Sequence, residues 1–140
     1  MSAEDHSRTT SATPMPRAMR WTGWALSAVF VLFMVMDVTI KLIGLPVVAQ
    51  TMAPLGWTPD RFGPIGPIEL AALVLYVFPR TSVLGAILMT GVMGGAVATH
   101  MRVGDPLFSH VLFGVYLGLL AWGGLWLRDA RLRALLPWRS

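Results

Sequence analysis

The chain of 140 residues contains no cysteine. That excludes a disulfide framework, a thiolate metal site and thiol redox chemistry of its own. Charge is also scarce: 13% of residues are Asp, Glu, Lys or Arg, about half the fraction typical of soluble domains. The net charge of +4 and the pI near 10.7 do not mark a nucleic-acid-binding domain, because the basic residues do not form a dense polar surface. What the chain has instead is apolar mass. Apolar side chains make up 55% of it, and mean hydropathy is +0.64. A soluble domain of this length has too little interior to hide so much apolar surface. A transmembrane helix needs roughly 20 apolar residues, so the chain has room for about four.

The hydropathy pattern divides the chain into three parts. Residues 1–19 are polar and rich in Ser, Thr and Pro, which predicts a disordered cytoplasmic tail, with His6 solvated inside it. Residues 20–128 form the membrane domain, with spans at about 21–42, 64–78, 82–99 and 107–127. Residues 129–140 form a basic cytoplasmic tail, which is expected to lie as a short helix on the membrane. The first apolar run follows Arg17 and Arg20 but is too long for a signal peptide, which predicts a retained helix. Between the first two spans, Pro46, Pro54, Pro59 and several glycines break any long helix. Two turns fit over 46–52, with Pro46 at the first helical position. Trp57 and Phe62 suit a membrane interface.

The basic residues predict orientation. Arg8, Arg17, Arg20, Arg80, Arg128, Arg131, Arg133 and Arg139 fall on one side, and Lys41, Arg61 and Arg102 on the other. Both termini are then cytoplasmic. The predicted fold class is all-α, a transmembrane four-helix bundle. The chain is expected to lie in a plasma membrane, as a multi-pass protein.

This topology gathers the remaining ionisable groups. Asp37 and Lys41 lie late in the first span, Glu69 early in the second, His100 at the end of the third and His110 at the start of the fourth. Arg102 and Asp105 lie between those histidines. All seven fall at the outer end of the bundle, and Tyr76 is expected on nearly the same face as Glu69. Ionisable groups in a bilayer cost at least roughly 2.5–3.5 kcal/mol near a helix centre, so they face the interior or water. Four readings of the cluster stay open. It is an ion-pair network with an Asp37–Lys41 pair at i, i+4 and Arg102 or a histidine on Glu69, a pocket for a small molecule or head group, a metal site built from Asp37, Glu69, His100 and His110, or a bis-histidine haem site. The metal reading lacks the Glu-x-x-His spacing.

Small residues predict the helix contacts. Ala86, Thr90, Gly94 and Ala98 recur at four-residue steps, with Gly91, Gly95 and Thr99 beside them. His110, Gly114, Gly118 and Trp122 do the same on the fourth span. Close approach at such stripes supplies packing energy where lipid removes the hydrophobic drive. A tight hairpin of spans three and four is expected, with His110 turned inward. Met34, Met36, Met89 and Met93 read as core filler.

The segments IGPIELAALVLYVFPRTSVLGAIL, GGAVATHMRVGDPLFSH and WGGLWLRDARLRALLP, together with the Asp37-to-Lys41 end of the first span, resemble the DoxX-like family of small four-span bacterial membrane proteins. Glu69, His100 and His110 match that family's polar landmarks. Gly114 and Val92 depart from it, standing where a proline and an aromatic are expected. The resemblance implies a redox-associated membrane subunit, with quinone or quinol as the possible cofactor. Expected partners are the lipid bilayer, a redox partner protein or a second copy of the chain in a homo-oligomer, and no nucleic acid. The competing readings are a non-enzymatic scaffold, a binder or carrier of a small lipophilic molecule, and a metal-dependent membrane enzyme.

Overall fold

The computed structural model describes residues 16–135. The expected disordered tail around His6, up to residue 15, and the last five residues lie outside the described residues. Within the described residues the regular structure is helical throughout.

Helix α1 covers Arg17–Leu42. It starts four residues before the expected span, so residues 17–19 are helical rather than part of a tail. The break lies at Pro16, whose ψ of 133° is extended. The ring restricts the residue before it, and the helix starts directly after it. Gly23, Ser27, Phe30, Met34 and Val38 are the buried residues of α1. Their spacing of three and four defines one narrow stripe. The rest of its surface exposes Trp21, Trp24, Val29, Leu32, Val35 and Met36. An apolar helix with only one buried stripe is surrounded by an apolar medium.

Helix α1 ends at Gly44, whose φ of 66° is open to glycine without strain. The amide of Leu45 bonds back to Ile40 O at 3.1 Å, closing the last turn. Helix α2 then covers Pro46–Met52, with proline at its first position, as the spacing predicts. A single turn, α3, covers Pro59–Phe62. Helix α4 is Ile65–Val77, and Pro79 follows it closely. Helix α5 runs from Ser82 to Val103. It passes the expected end at 99, so His100 and Arg102 are helical and not in a loop. It stops at Gly104, where φ turns to 76°. One turn of π-helix, Leu107–Val111, leads into α6, Phe113–Arg128. A short helix, α7, covers Ala130–Leu135, where the basic tail was expected to be helical.

Three helical stretches are long and apolar enough to cross a membrane: Arg17–Leu42, Ser82–Val103 and Leu107–Arg128. Helix α4 is not among them. Its 13 residues extend about 20 Å at 1.5 Å per residue, short of the roughly 30 Å of a hydrocarbon core. Proline and glycine before it and Pro79 after it set that length. Helix α1 packs on α6 and α4, and α5 packs on the same two. The core between them holds Phe30, Met34, Leu73, Tyr76, Met89 and Leu125.

The closest backbone approaches do not follow the expected glycine stripes. A Cβ on Gly94 or Gly118 would meet nothing within 4 Å, and the same holds for Gly91 and Gly95. Only Gly114 of that set is tight, with Met93 O at 3.0 Å from where its Cβ would stand. The tight crossings lie elsewhere. A Cβ on Gly85 would run into the backbone of Tyr76, so α4 and α5 touch there. Gly23 and Gly124 face each other across α1 and α6, with Ser27 against Gly124. The small-residue rule holds, but it acts where helix axes cross, and that point is not visible in a periodic pattern.

These contacts predict opposite outcomes for two similar substitutions. Gly85→Val forces α4 and α5 apart and lowers stability by about 1–3 kcal/mol or more, the scale of overpacking. Gly94→Ala stays within about 0.5 kcal/mol of the parent. Thermal unfolding in detergent, followed by circular dichroism, checks both.

Candidate functional site

Two helix ends and one turn build the site. Lys41 stands in the last turn of α1 and Asp37 one turn before it. Glu69 lies in the second turn of α4. The Lys41 Nζ donates to Asp37 Oδ2 at 2.6 Å and to both Glu69 oxygens, at 2.8 and 2.7 Å. The expected i, i+4 pair therefore forms. The partner of Glu69 is Lys41, not Arg102 or a histidine. The Glu69 side chain is only 5% exposed and that of Lys41 14%. One ammonium held by two carboxylates carries a net charge of −1, and charge-assisted bonds of this length are the strong kind.

The second part follows from how α5 ends. Gly104 reverses the chain, and the amide of Asp105 bonds to His100 O at 3.1 Å. This closing turn brings the Asp105 carboxylate back over the last helical turn. Its Oδ2 then lies 2.6 Å from His100 Nδ1. A carboxylate accepts only, so Nδ1 carries the proton and Nε2 of a neutral ring is left as an acceptor. The His110 ring lies 5.8 Å from that of His100, centroid to centroid. It sits on the π-helical turn, with its Nδ1 2.8 Å from Ser109 Oγ. His110 is an exposed residue, yet it faces the same space as His100.

Two cavities meet at these groups. The first, about 320 Å³, is lined by Asp37, Lys41, Glu69, His100 and His110 against apolar residues of α1, α2, α5 and α6. The second, about 330 Å³, is lined by Lys41, Glu69 and His100 with Met52, Trp57, Ile68 and the α5 glycines Gly91 and Gly95. Lys41, Glu69 and His100 belong to both walls. Each volume lies at the lower end of small-molecule pockets. Val92 and Gly114 both line the first cavity. The open glycine stripe of α5 thus has a role that its spacing does not reveal: it shapes the side of a cavity.

Two expected members of the cluster lie apart from it. Arg102 donates to Leu55 O at 2.5 Å and holds the loop after α2 against α5. Tyr76 is buried about two turns along α4 from Glu69, in a different network. Its hydroxyl donates to Ala121 O at 2.9 Å and lies 3.1 Å from Ser27 Oγ. Phe30 packs edge-on against its ring at 4.9 Å. Seven residues return a side chain to the same face but carry it about 10 Å along the axis, which explains the separation.

The four-ligand metal reading of Asp37, Glu69, His100 and His110 does not fit this geometry. Lys41 holds the position between the two carboxylates that a cation would take, and Asp105 holds the Nδ1 of His100. Among the described residues no three His, Asp or Glu side chains gather as metal ligands do. Reasoning from sequence missed the Ser27–Tyr76–Ala121 tie altogether. The signal for it was Ser27 at four-residue spacing from Gly23 in an otherwise large-residue helix.

A model of the DoxX-like family matches residues 25–124, from early α1 to near the end of α6. No curated protein and no solved structure matches the chain.

The ion-pair geometry orders three substitutions. Lys41→Met leaves two carboxylates unpaired in an apolar setting and destabilises by about 3–5 kcal/mol. Asp37→Asn, at the more exposed carboxylate, costs about 1 kcal/mol or less. Glu69→Gln falls between them. Unfolding in detergent followed by tryptophan fluorescence reads all three, and equal effects for Asp37→Asn and Lys41→Met would contradict the assignment.

Proposed function

The chain belongs to the DoxX-like family and is a small membrane protein, and on that footing we propose that it holds a lipophilic molecule of the quinol class at the end of the helices marked by Lys41, Glu69 and His100. The observation that carries this reading is the second cavity. Its head is polar, at Lys41, Glu69 and His100, and its side wall is Ile68, Gly91 and Gly95, all exposed residues between α4 and α5. A ligand with an apolar tail leaves through that side into hydrocarbon, whereas a soluble substrate has no reason to enter from it.

The charge of the site selects the head group. Its groups are acceptor-rich: two carboxylates share one ammonium, and His100 presents Nε2 as a lone pair. A hydroxyl donor of the quinol or phenol type complements such a site better than an anion. His100 takes the hydroxyl proton at Nε2, and Asp105 supports the imidazolium so formed. A redox partner protein would receive the electrons in a quinol-linked complex, since the chain has no cysteine of its own.

In this reading α4 crosses the membrane with the three longer helices as a four-span bundle, the short helix being matched by local thinning of the bilayer. In the same reading the Arg128 end and both termini face the cytoplasm of a bacterial plasma membrane, a reading the basic residues at that end support. The alternative is a scaffold in which the Lys41 bridge only pins α1 to α4. The three short bonds of Lys41 favour it, since they account for the ion pair without any ligand.

Titration of the purified protein with a short-tailed quinol separates the two. Binding quenches tryptophan fluorescence, with Trp57 on the cavity wall. His100→Ala weakens binding about tenfold, a loss of about 1.4 kcal/mol, and leaves the unfolding midpoint near that of the parent. No saturable quenching in a folded parent, or equal binding by His100→Ala, rejects the quinol site and leaves the scaffold.

A further inference from the structure

At the other end of the molecule stands a cation with no carboxylate in salt-bridge contact among the described residues. Arg128 closes α6. Its guanidinium carbon lies 4.4 Å from the centroid of the Trp24 ring and 5.9 Å from that of Tyr76. Its Nε is buried and has no hydrogen-bond partner among the described residues. The guanidinium is always charged and offers five donors in a planar fork. Stacking on an aromatic face satisfies the plane of that group but none of its N–H bonds. The neighbouring carboxylate is engaged elsewhere: Asp129 Oδ1 accepts from the amides of Arg131, at 2.8 Å, and Leu132, at 3.4 Å, and so caps α7.

Two cavities meet at this arginine. One, about 360 Å³, is lined by Arg128, Arg131, Asp129, Ser82, Pro79 and Trp24. It has two guanidinium-bearing residues on its wall. Ser82, in the first turn of α5, adds the positive end of a 22-residue helix dipole. The other cavity, about 220 Å³, shares Trp24 and Arg128 and continues along Ala28, Val31, Tyr76 and Val77. That is an apolar groove between α1 and α4. A basic chamber joined at one arginine to an apolar groove has the shape and polarity of a phospholipid, head and first chain segment. Trp24 and Val77, both exposed, line the groove, as expected of a surface that meets acyl chains.

We propose that this end binds the phosphate of a phospholipid head, with the Arg128 fork on the phosphate oxygens, Arg131 opposite, and an acyl chain in the groove beside Tyr76. Because the groove is shared by α1 and α4, the bound chain covers the seam between the short helix and the first span. Nothing in this site depends on the ligand held at Lys41.

Native mass spectrometry of the full chain in mild detergent tests it. The protein is titrated with phosphatidylglycerol, with diacylglycerol of the same chains, and with phosphatidylglycerol against inorganic phosphate. The parent retains phosphatidylglycerol and not diacylglycerol. Arg128→Gln lowers the retained fraction about tenfold, the scale of losing a charge-assisted bidentate contact, and Arg131→Gln lowers it less. Should Arg128→Gln fail to fold, Arg128→Lys keeps the charge without the fork, and with Arg131→Gln it decides the question. Equal retention of diacylglycerol, or parent-level retention of phosphatidylglycerol by the folded Arg128 and Arg131 variants, overturns the site. Displacement of the lipid by inorganic phosphate at equal concentration reassigns it to free phosphate and overturns the lipid head.

Discussion

A single ammonium group organises one half of this molecule. Lys41 binds a carboxylate on its own helix and another on α4, among apolar side chains where water is scarce. Leaving any one of these charges alone there is expensive, so the three move as a unit. That requirement fixes the register of α4 against the end of α1. It also anchors the shortest helix of the core, which has too little length to be placed by its own hydrophobic match. The two cavities share Lys41 and Glu69 as a wall, and Asp37 adds a second carboxylate to the first of them. The closing turn at Gly104 then places His100 with Asp105 over the same space.

The opposite half is held differently. There the ties are neutral: the Tyr76 hydroxyl reaches a backbone carbonyl of α6 and a serine of α1. Backbones approach closely at Gly23 and Gly124 and at Gly85. Inside lipid the hydrophobic effect does not bring helices together, so dispersion at close crossings and buried hydrogen bonds take over that role. The two halves therefore differ in what a ligand would meet. One end offers acceptors around a neutralised lysine. The other offers an arginine whose buried Nε has no hydrogen-bond partner among the described residues.

Much of this was readable from residue order. The helical character, the break at Pro46 and the turn of helix after it are local, and Asp37 with Lys41 at four residues' separation is local too. Glu69 stood out because it is the single charge in an apolar run, and a charge in such a run has to face something. Other assignments failed for geometric reasons. Tyr76 shares a face with Glu69 but not a level. Arg102 turned to a loop carbonyl, because α5 continues past residue 99 and carries it beyond the cluster. The stripe Gly91, Gly95 looked like a helix contact and instead lines a cavity, since periodicity shows which residues share a face but not what that face meets.

Composition alone determined that the chain is helical and membrane-bound, and that thiol chemistry is absent: those follow from hydropathy and from missing residue types. Its few charges determined that any polar site is confined to the ends of the helices. Which charges pair was decided by the tertiary structure, through the crossing of α1 and α4 that sets Lys41 between Asp37 and Glu69. The same fold decided that Tyr76 and Arg128 form a second, separate place, because only packing in three dimensions brings Ser27 and Ala121 to Tyr76, 49 and 45 residues away along the chain.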